Sequence, residues 1–432
     1  MSTVLFWFRS DLRLHDQVAL HAACAGGTRH LLPVLCLPDF DAMTPWGCAR
    51  WGTHRRAWHA SAVRDLAAQL ARLGCPLLVL PGPAALSLPL IARTVGASEV
   101  VCEDIAAPEE QADVAALRAA GLSVRTVWQS SLLDPACLPW AADALPASFT
   151  PFRQAVERAQ LQPPVPLAPP SALPPWPDVT LPAQLQCSLA VFDKVPCQTD
   201  RRSSLPGAAA GPDGGEAAGL AHLALYLQRC LPDTYKQTRN ALTGVDYSSK
   251  WSPWLATGAL SARQIVAALR RFEAAHGATE GSYWLWFELL WRDYFRFLHL
   301  QYGARLYHAS GLGRLPVAQH NADNFLRWCQ AATGEPLIDA AMRELGATGY
   351  LSNRLRQVVA SYLVYDLGGD WRAGAAWFEC QLVDYDVYSN QGNWLYIAGR
   401  GTDPRGGRKF NVDKQTAEHD RDGAYRRLWG TA

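Results

Sequence analysis

Residues 381–399 read QLVDYDVYSNQGNWLYIAG, and the spacing of their polar groups is the most concentrated chemistry in the chain. Between positions 384 and 395 stand two aspartates (Asp384, Asp386), two asparagines (Asn390, Asn393) and three large rings, in a stretch otherwise built of core-type residues. An unpaired buried carboxylate or amide costs about 1–3 kcal/mol or more. Either a hydrogen-bond network or a polar ligand must therefore occupy this place. Asp386 and Asn390 lie one helical turn apart, and Trp394 lies one turn further. A polar edge recognising a heterocycle beside a stacked or redox-active indole satisfies all of them, while core packing is the plainer account of Trp394 and of Trp371.

Three other stretches belong with it. In SYWLWFELLWRDYFRF, Trp284, Phe287, Glu288, Trp291 and Phe295 fall at i, i+3, i+4, i+7 and i+11, so one helical face is aromatic with a carboxylate in its middle. That carboxylate is either a core glutamate paired with Arg292 at i+4, or part of a pocket floor where a flat ring stacks on Trp291 and Glu288 bonds its edge. SNRLRQVVASYL opens with Ser352 as a helix cap and sets Asn353, Arg356 and Gln357 on one face before an apolar run. Capping polarity accounts for the asparagine but not for two arginines and a glutamine so close to core sequence. DYSSKWSPWLATGALS joins hydroxyls and a lysine to a Ser-Pro helix start, where free backbone N–H groups suit phosphate; the same pattern is also a common turn and cap.

The elements that must position these residues fall into two halves. Over the first 130 residues the short runs TVLFWF, HLLPVLCL, PLLVLPG, EVVCE and LSVRTVW alternate with the helical patterns SAVRDLAAQLARLG, ALSLPLIARTVG and EEQADVAALRAAG. This predicts an α/β domain with a doubly wound parallel sheet over 1–130. No G-x-G-x-x-G follows the first strand, so a scaffold or another small-ligand site is favoured there over dinucleotide binding. Residues 131–212, rich in proline, alanine and leucine (LQPPVPLAPPSALPPWP), read as a long extended connection. From 213 to 432 the pattern is almost wholly helical.

Composition narrows the function classes. The net charge of +1 gives no overall basic field, so binding to nucleic acid must use a local patch. Eleven scattered cysteines without C-x-x-C pairs read as reduced thiols, with no zinc or iron–sulfur site and no other metal. No apolar run approaches the length of a membrane span, and MSTVLFWFRSDLRLHD does not resemble a signal peptide, which together point to the cytoplasm. Seventeen tryptophans suggest stacking or electron transfer beyond what cores need.

Taken together, TYKQTRN, DYSSKWSPWLATGALS, FELLWRDYFRF, TGEPLIDAAMRELGATGYLSNRLRQ and DYDVYSNQGNWLYIAGRGTDPR resemble the photolyase and cryptochrome family. WFRSDLRLHD resembles that family's first strand and turn. LPASFTPFRQAVE, the DYSSK lead-in, Gln357 and Tyr396 resemble its cryptochrome DASH branch. The resemblance implies an α/β antenna domain joined by a long linker to an all-helical domain that holds FAD. It implies that Tyr235, Ser248, Ser249, Ser252 and Arg292 touch the phosphate and ribose portions of FAD, and that Asn353, Arg356, Asp384, Asp386 and Asn390 surround its ring system. Glu288, Trp291, Gln357 and Tyr396 then face the substrate, a cyclobutane pyrimidine dimer flipped into the pocket, with Trp394 and Trp371 as electron relays. Arg239, Lys250 and Arg354 become the contacts to DNA phosphate.

The same resemblance implies light-driven dimer repair in DNA, single-stranded or looped by preference, by a monomer. The alternatives are a blue-light photoreceptor signalling through a partner and a nucleic-acid-binding protein with a structural flavin; WGTA at the C-terminus offers no signalling tail for the former. Four positions depart from the family. Ala318 stands where the outermost relay tryptophan is expected. Asp104 stands where relatives use glutamate toward a 5,10-methenyltetrahydrofolate antenna, which leaves that second chromophore open. Trp251 replaces a smaller residue in the phosphate segment, and Leu355 replaces a glycine.

Overall fold

The strand β1 Ser2–Phe8 (STVLFWF) is buried at every residue after the first, so it needs cover on both faces. A computed structural model supplies that cover; it describes residues 2–430 apart from 142–143, 194, 196–199, 208–210, 314 and 317–318, and Ala318 therefore lies outside the described residues. Strands β2 Thr28–Cys36, β3 Leu78–Leu80, β4 Ala97–Glu103 and β5 Val124–Val127 join β1 in a parallel sheet of order β3-β2-β1-β4-β5. Helices α1 Val18–Cys24 and α2 Thr53–Arg72 pack on one face, α3 Ala84–Val95 and α4 Pro108–Ala119 on the other. The doubly wound α/β class is thus present, with its change of winding direction between β1 and β4. α2 begins eight residues before the run SAVRDLAAQLARLG because THRRAWHA continues the same face and buries Trp58.

Between 131 and 212 the chain forms α5 Phe149–Arg158 and then runs along the sheet domain. Leu31 N donates to Pro175 O (3.1 Å) and Cys187 N to Val79 O (2.8 Å), so this stretch is tied to the sheet by its backbone. The rest is helical: α6 Glu216–Gln228, α7 Tyr235–Thr238, α8 Ser252–Thr257, α9 Ala262–His276, α10 Glu280–Tyr302, α11 Ala322–Cys329, α12 Pro336–Thr348, α13 Asn353–Ser361, α14 Trp371–Gln381, α15 Val387–Ala398, α16 Val412–His419 and α17 Ala424–Trp429.

α10 is the axis of this half. A capping box starts it: Thr279 Oγ1 accepts from Ser282 N (3.1 Å), and Ser282 Oγ accepts from Thr279 N (3.0 Å). α15 crosses α10 so closely that a Cβ on Gly392 would lie 2.1 Å from Phe295 Cδ1, which leaves glycine as the residue that fits. α15 itself starts at Asp386, whose carboxylate accepts from Ser389 N (2.7 Å), and ends at Gly399 with φ +67°.

Buried polar contacts dock the two halves. The Glu216 carboxylate accepts from the backbone N–H groups of Leu14 and His15 (2.9 Å each), and Arg263 pairs with Asp16 at 2.9 Å. Asp293, on α10, accepts from the N–H groups of Leu132 and Leu133 (2.8 Å each). The ends of β1 and β4 face the helical half across a cavity of about 500 Å³, into which Glu103 is turned.

Burial, with the Asp11 carboxylate nearby, pushes Glu103 up to about 8 from an ordinary 4.5. A carboxyl that keeps its proton when folded and loses it when unfolded makes the protein less stable as pH rises between those two values. Glu103→Gln should remove this loss: denaturant midpoints of wild type and variant, compared at pH 5 and pH 8, should diverge toward pH 8 in favour of the variant.

Candidate functional site

Two adjoining hollows open inside the helical half. The larger, about 350 Å³, lies between α7, α8, α10, α13 and α15. The smaller, about 80 Å³, continues behind it between α13, α14 and α15. Asn353, Arg356, Gln357, Asp384, Asp386, Ser389 and Asn393 line both. Residues scattered over some 160 positions of sequence are thereby brought to one surface.

Each polar group is placed by a specific local feature. Ser352 caps α13 by accepting from Leu355 N (3.3 Å), which turns Asn353, Arg356 and Gln357 toward the hollow. Arg356 donates to Asp384 Oδ2 (2.9 Å), and Ser252 Oγ at the start of α8 donates to the same oxygen (2.6 Å). Asp386 caps α15 and pairs with Arg296 (2.6 Å), itself 2% exposed. Burial opposes the charge of Asp386, but the guanidiniums of Arg296 and Arg292 outweigh it and hold the carboxyl well below its usual range. Asn390 Nδ2 donates to Ala375 O (3.0 Å), which fixes its amide at the wall of the smaller hollow.

Of the phosphate-side candidates, Tyr235, Ser249, Ser252 and Arg292 line the larger hollow, while Ser248 stands beside the Tyr350 hydroxyl. Arg292 donates to Ser130 O (2.5 Å) and Leu255 O (3.4 Å). The i+4 pairing of Glu288 with Arg292 is not what forms. Glu288 pairs instead with Arg239 (2.5 Å), because Arg292 is drawn across to the carbonyls.

The mouth of the larger hollow is aromatic. Trp291 and Tyr396 stand 5.9 Å apart at 71°, and Arg408 Nε donates to the Tyr396 hydroxyl (2.9 Å). Burial raises the Glu288 carboxyl above its ordinary value despite Arg239. Arg239, with its guanidinium 4.8 Å from the Trp284 ring, lies on the wall of the hollow; Arg354, bonded to Asn240 Oδ1 (3.2 Å), is half-buried nearby.

Lys250 is not where a DNA contact would be, and Trp371 and Asp104 stand away from both hollows. Lys250 is 2% exposed, its Nζ 3.2 Å from the centre of the Tyr247 ring and within 3.4 Å of Ser204 Oγ, so it cannot meet a DNA phosphate from there. A left-handed backbone (φ +55°) turns the side chain inward. Trp371 is buried with its indole N–H on Ala309 O (3.1 Å) and does not line either hollow, whereas Trp394 lines the smaller one and packs on Phe378 (5.2 Å) and Trp328 (6.4 Å). Asp104 accepts from Gln111 (2.9 Å) and stays outside the cavity that its neighbours Glu103 and Ile105 line.

Sequence reasoning missed Arg296, Ser389, Arg408 and Phe149. Arg296 is at i+4 from Arg292 and Ser389 at i+3 from Asp386, so helical spacing carried a signal for both; Phe149, 142 positions from the Trp291 ring it stacks on, had none.

The wall fits a polar ligand. Asp384 Oδ1 and Trp251 Nε1 are buried without a protein hydrogen-bond partner in residues that line the larger hollow, and such orphaned polar atoms are rare unless something bonds them. A group with hydroxyls, a ring edge and anionic phosphate, such as FAD, presents complementary atoms. Asp384→Ala strips the partner from Arg356 and Ser252, and should lower flavin retention about 10–100-fold in a chain that still folds. Flavin absorbance per protein after gel filtration, with circular dichroism as the check on folding, measures this.

Comparison with known proteins agrees with the geometry. A family profile described as DNA photolyase matches residues 4–171, and one described as the FAD binding domain of DNA photolyase matches 284–431. A cryptochrome DASH of Gloeobacter violaceus is 43% identical over 440 residues, covering 99% of this chain and 85% of that one. A cryptochrome DASH of Xenopus laevis is 39% identical over 99% of this chain and 82% of its own length. The crystal structure of a Synechocystis cryptochrome superposes with a TM-score of 0.92 at 40% identity over 99% of this chain and 88% of that one. A class III photolyase of Agrobacterium tumefaciens superposes with 0.80 at 28% identity, over 99% and 86%. Identity at this level over nearly the whole chain, with a hollow built of paired arginines and aspartates where the FAD-binding profile matches, means that the protein belongs to the photolyase and cryptochrome family, in its cryptochrome DASH branch.

Proposed function

We propose that the protein repairs cyclobutane pyrimidine dimers in DNA under blue light, acting by preference on single-stranded or looped DNA. The observation that carries this reading is the lining of the larger hollow, where Trp291, Glu288 and Tyr396 share one space with Asn353 and Gln357. Bound FAD supplies the light-driven electron that opens a cyclobutane ring.

What the chain contributes is recognition and placement. A base leaves its stack at a cost of a few kcal/mol, and the cost is smallest for damaged or unpaired bases, as the handling of flipped substrates by photolyases in general illustrates. Stacking returns about 1–3 kcal/mol per base, and Trp291 offers the ring for it. Glu288 presents its carboxylate, and Gln357 and Asn353 their amides, to the edges of a pyrimidine pair. Arg408 holds the Tyr396 hydroxyl in place. Arg239 and Arg354 stand by the mouth as partners for the phosphates, and their affinity should fall with salt. Ser249, Ser252 and Arg292 would hold the phosphate side of bound FAD, Asp384, Asp386 and Asn390 its ring side, and Trp394 would stand beside it as an oxidisable indole.

The test uses purified, flavin-loaded and chemically reduced protein with an oligonucleotide carrying one thymine dimer, single-stranded or duplex. Dimer loss in blue light and none in darkness is the expected result, faster on the single strand. Glu288→Ala should lower repair about tenfold or more, the loss of a hydrogen bond to a buried charged partner, with flavin content unchanged. No loss of dimer from either substrate with wild type would overturn the reading in favour of a photoreceptor.

A further inference from the structure

The tightest ring stack in the molecule joins two segments that belong to different parts of the chain. Phe149, on α5 in the proline-rich connection, lies 3.9 Å from the Trp291 ring at 11° between planes. Phe149 is 4% exposed and meets Phe287 edge-on at 5.0 Å. One face of the Trp291 indole is therefore covered by Phe149, while its ring also lines the larger hollow.

α5 is itself clamped to α10 from outside. The Tyr283 hydroxyl donates to Glu157 (2.7 Å), Arg153 donates to that hydroxyl (2.8 Å), and Arg153 pairs with Glu157 at 2.6 Å. Tyr283 precedes Trp291 by two helical turns on α10, so the clamp and the stack hold the same stretch of that helix. Phe149 makes no contact with the polar wall of the flavin hollow and is remote from it in sequence. It meets the lining of the larger hollow through the plane of Trp291 and the edge of Phe287.

We infer that Phe149 is a positioning residue of the substrate pocket, and that the connecting segment, through α5, sets the angle at which Trp291 meets a pyrimidine. The inference rests on the dimer-repair reading. An indole stacked on one side has few orientations left, so its open face is ready for a base before the base arrives. Without that stack the indole can tilt about its side-chain torsions, and part of the binding energy is spent in fixing it.

The experiment uses the full flavin-loaded chain and two readouts. In darkness, affinity is measured for a single-stranded oligonucleotide with one thymine dimer and for the same strand undamaged; in blue light, kcat and KM are measured on the damaged strand. Phe149→Leu should weaken affinity for the damaged strand about three- to tenfold, the worth of an aromatic pair, and raise KM in step. The undamaged strand, kcat and flavin content should stay as in wild type. Phe149→Tyr, which keeps the ring, should restore wild-type affinity. Tyr283→Phe, a change at the surface clamp, should shift KM the same way by less, and it decides the matter if Phe149→Leu does not fold. Wild-type affinity in Phe149→Leu, equal loss in the leucine and tyrosine variants, or, if the leucine variant is not folded, wild-type KM in Tyr283→Phe would each overturn the inference. A wild type that binds both strands alike would overturn it together with the repair reading, and is told apart because the failure shows before any substitution.

Discussion

Two arginine–aspartate pairs inside the helical half set the terms for everything around them. Arg356 with Asp384 and Arg296 with Asp386 put four charges where water is scarce, at a desolvation cost of several kcal/mol per ion before pairing returns anything. Such pairs survive only with further hydrogen bonds. Asp384 gets one from Ser252, and Asp386 gets one from Ser389 N at the start of α15. α8, α10, α13 and α15 must therefore meet within a few ångströms, and the close crossing at Gly392 and Phe295 is part of what lets them. An apolar core of the same shape would hold these helices at lower cost, so the charges are kept for something other than stability.

The aromatic side of the cavity answers a different demand. Polar groups there would compete with a base for water, whereas rings offer a face to any base and lose little entropy on contact. Trp291, Tyr396 and the layer of Phe149 and Phe287 behind them make that side continuous, and Glu288 is the carboxylate set into it. On the proposed reading, a polar wall and an aromatic wall across one hollow would divide the labour between holding a cofactor and admitting a substrate.

Much of this was legible in the sequence where function follows local spacing. Alternating β-type and helical runs gave the parallel sheet, since each buried strand and amphipathic helix carries its own period. Asp386 and Asn390, or Asn353, Arg356 and Gln357, could be grouped because helical turns put them side by side. Long-range choices were not written in any window. Nothing near Glu288 says that it pairs with Arg239 and not with Arg292, since that depends on α7 lying across α10. Lys250 reads as a free cation until its left-handed backbone turns it under Tyr247. Phe149 sits in a stretch whose proline content argues for an extended connection, and only tertiary packing shows a helix there bearing on the pocket.

Three arginines and three carboxylates line the larger hollow, so its charges balance in number but not in pairing, and this bears on how the cavity works. Asp386 lies near two guanidiniums, those of Arg296 and Arg292, but its bonded partner is Arg296. Arg292 is left to carbonyl oxygens, and burial with Arg296 beside it pushes its guanidinium down to about 10. Carbonyl dipoles relieve a buried cation less well than an anion does, since they bring no opposite net charge to offset its desolvation. The charge of Arg292 is thus incompletely compensated, which costs free energy as long as the protein is alone. A ligand that brings negative charge to Arg292 removes that cost on binding, in addition to its own contacts. Of the three arginines that line the larger hollow, Arg292 is the one with no ion pair to break among the described residues, and a phosphate placed there would supply the missing partner.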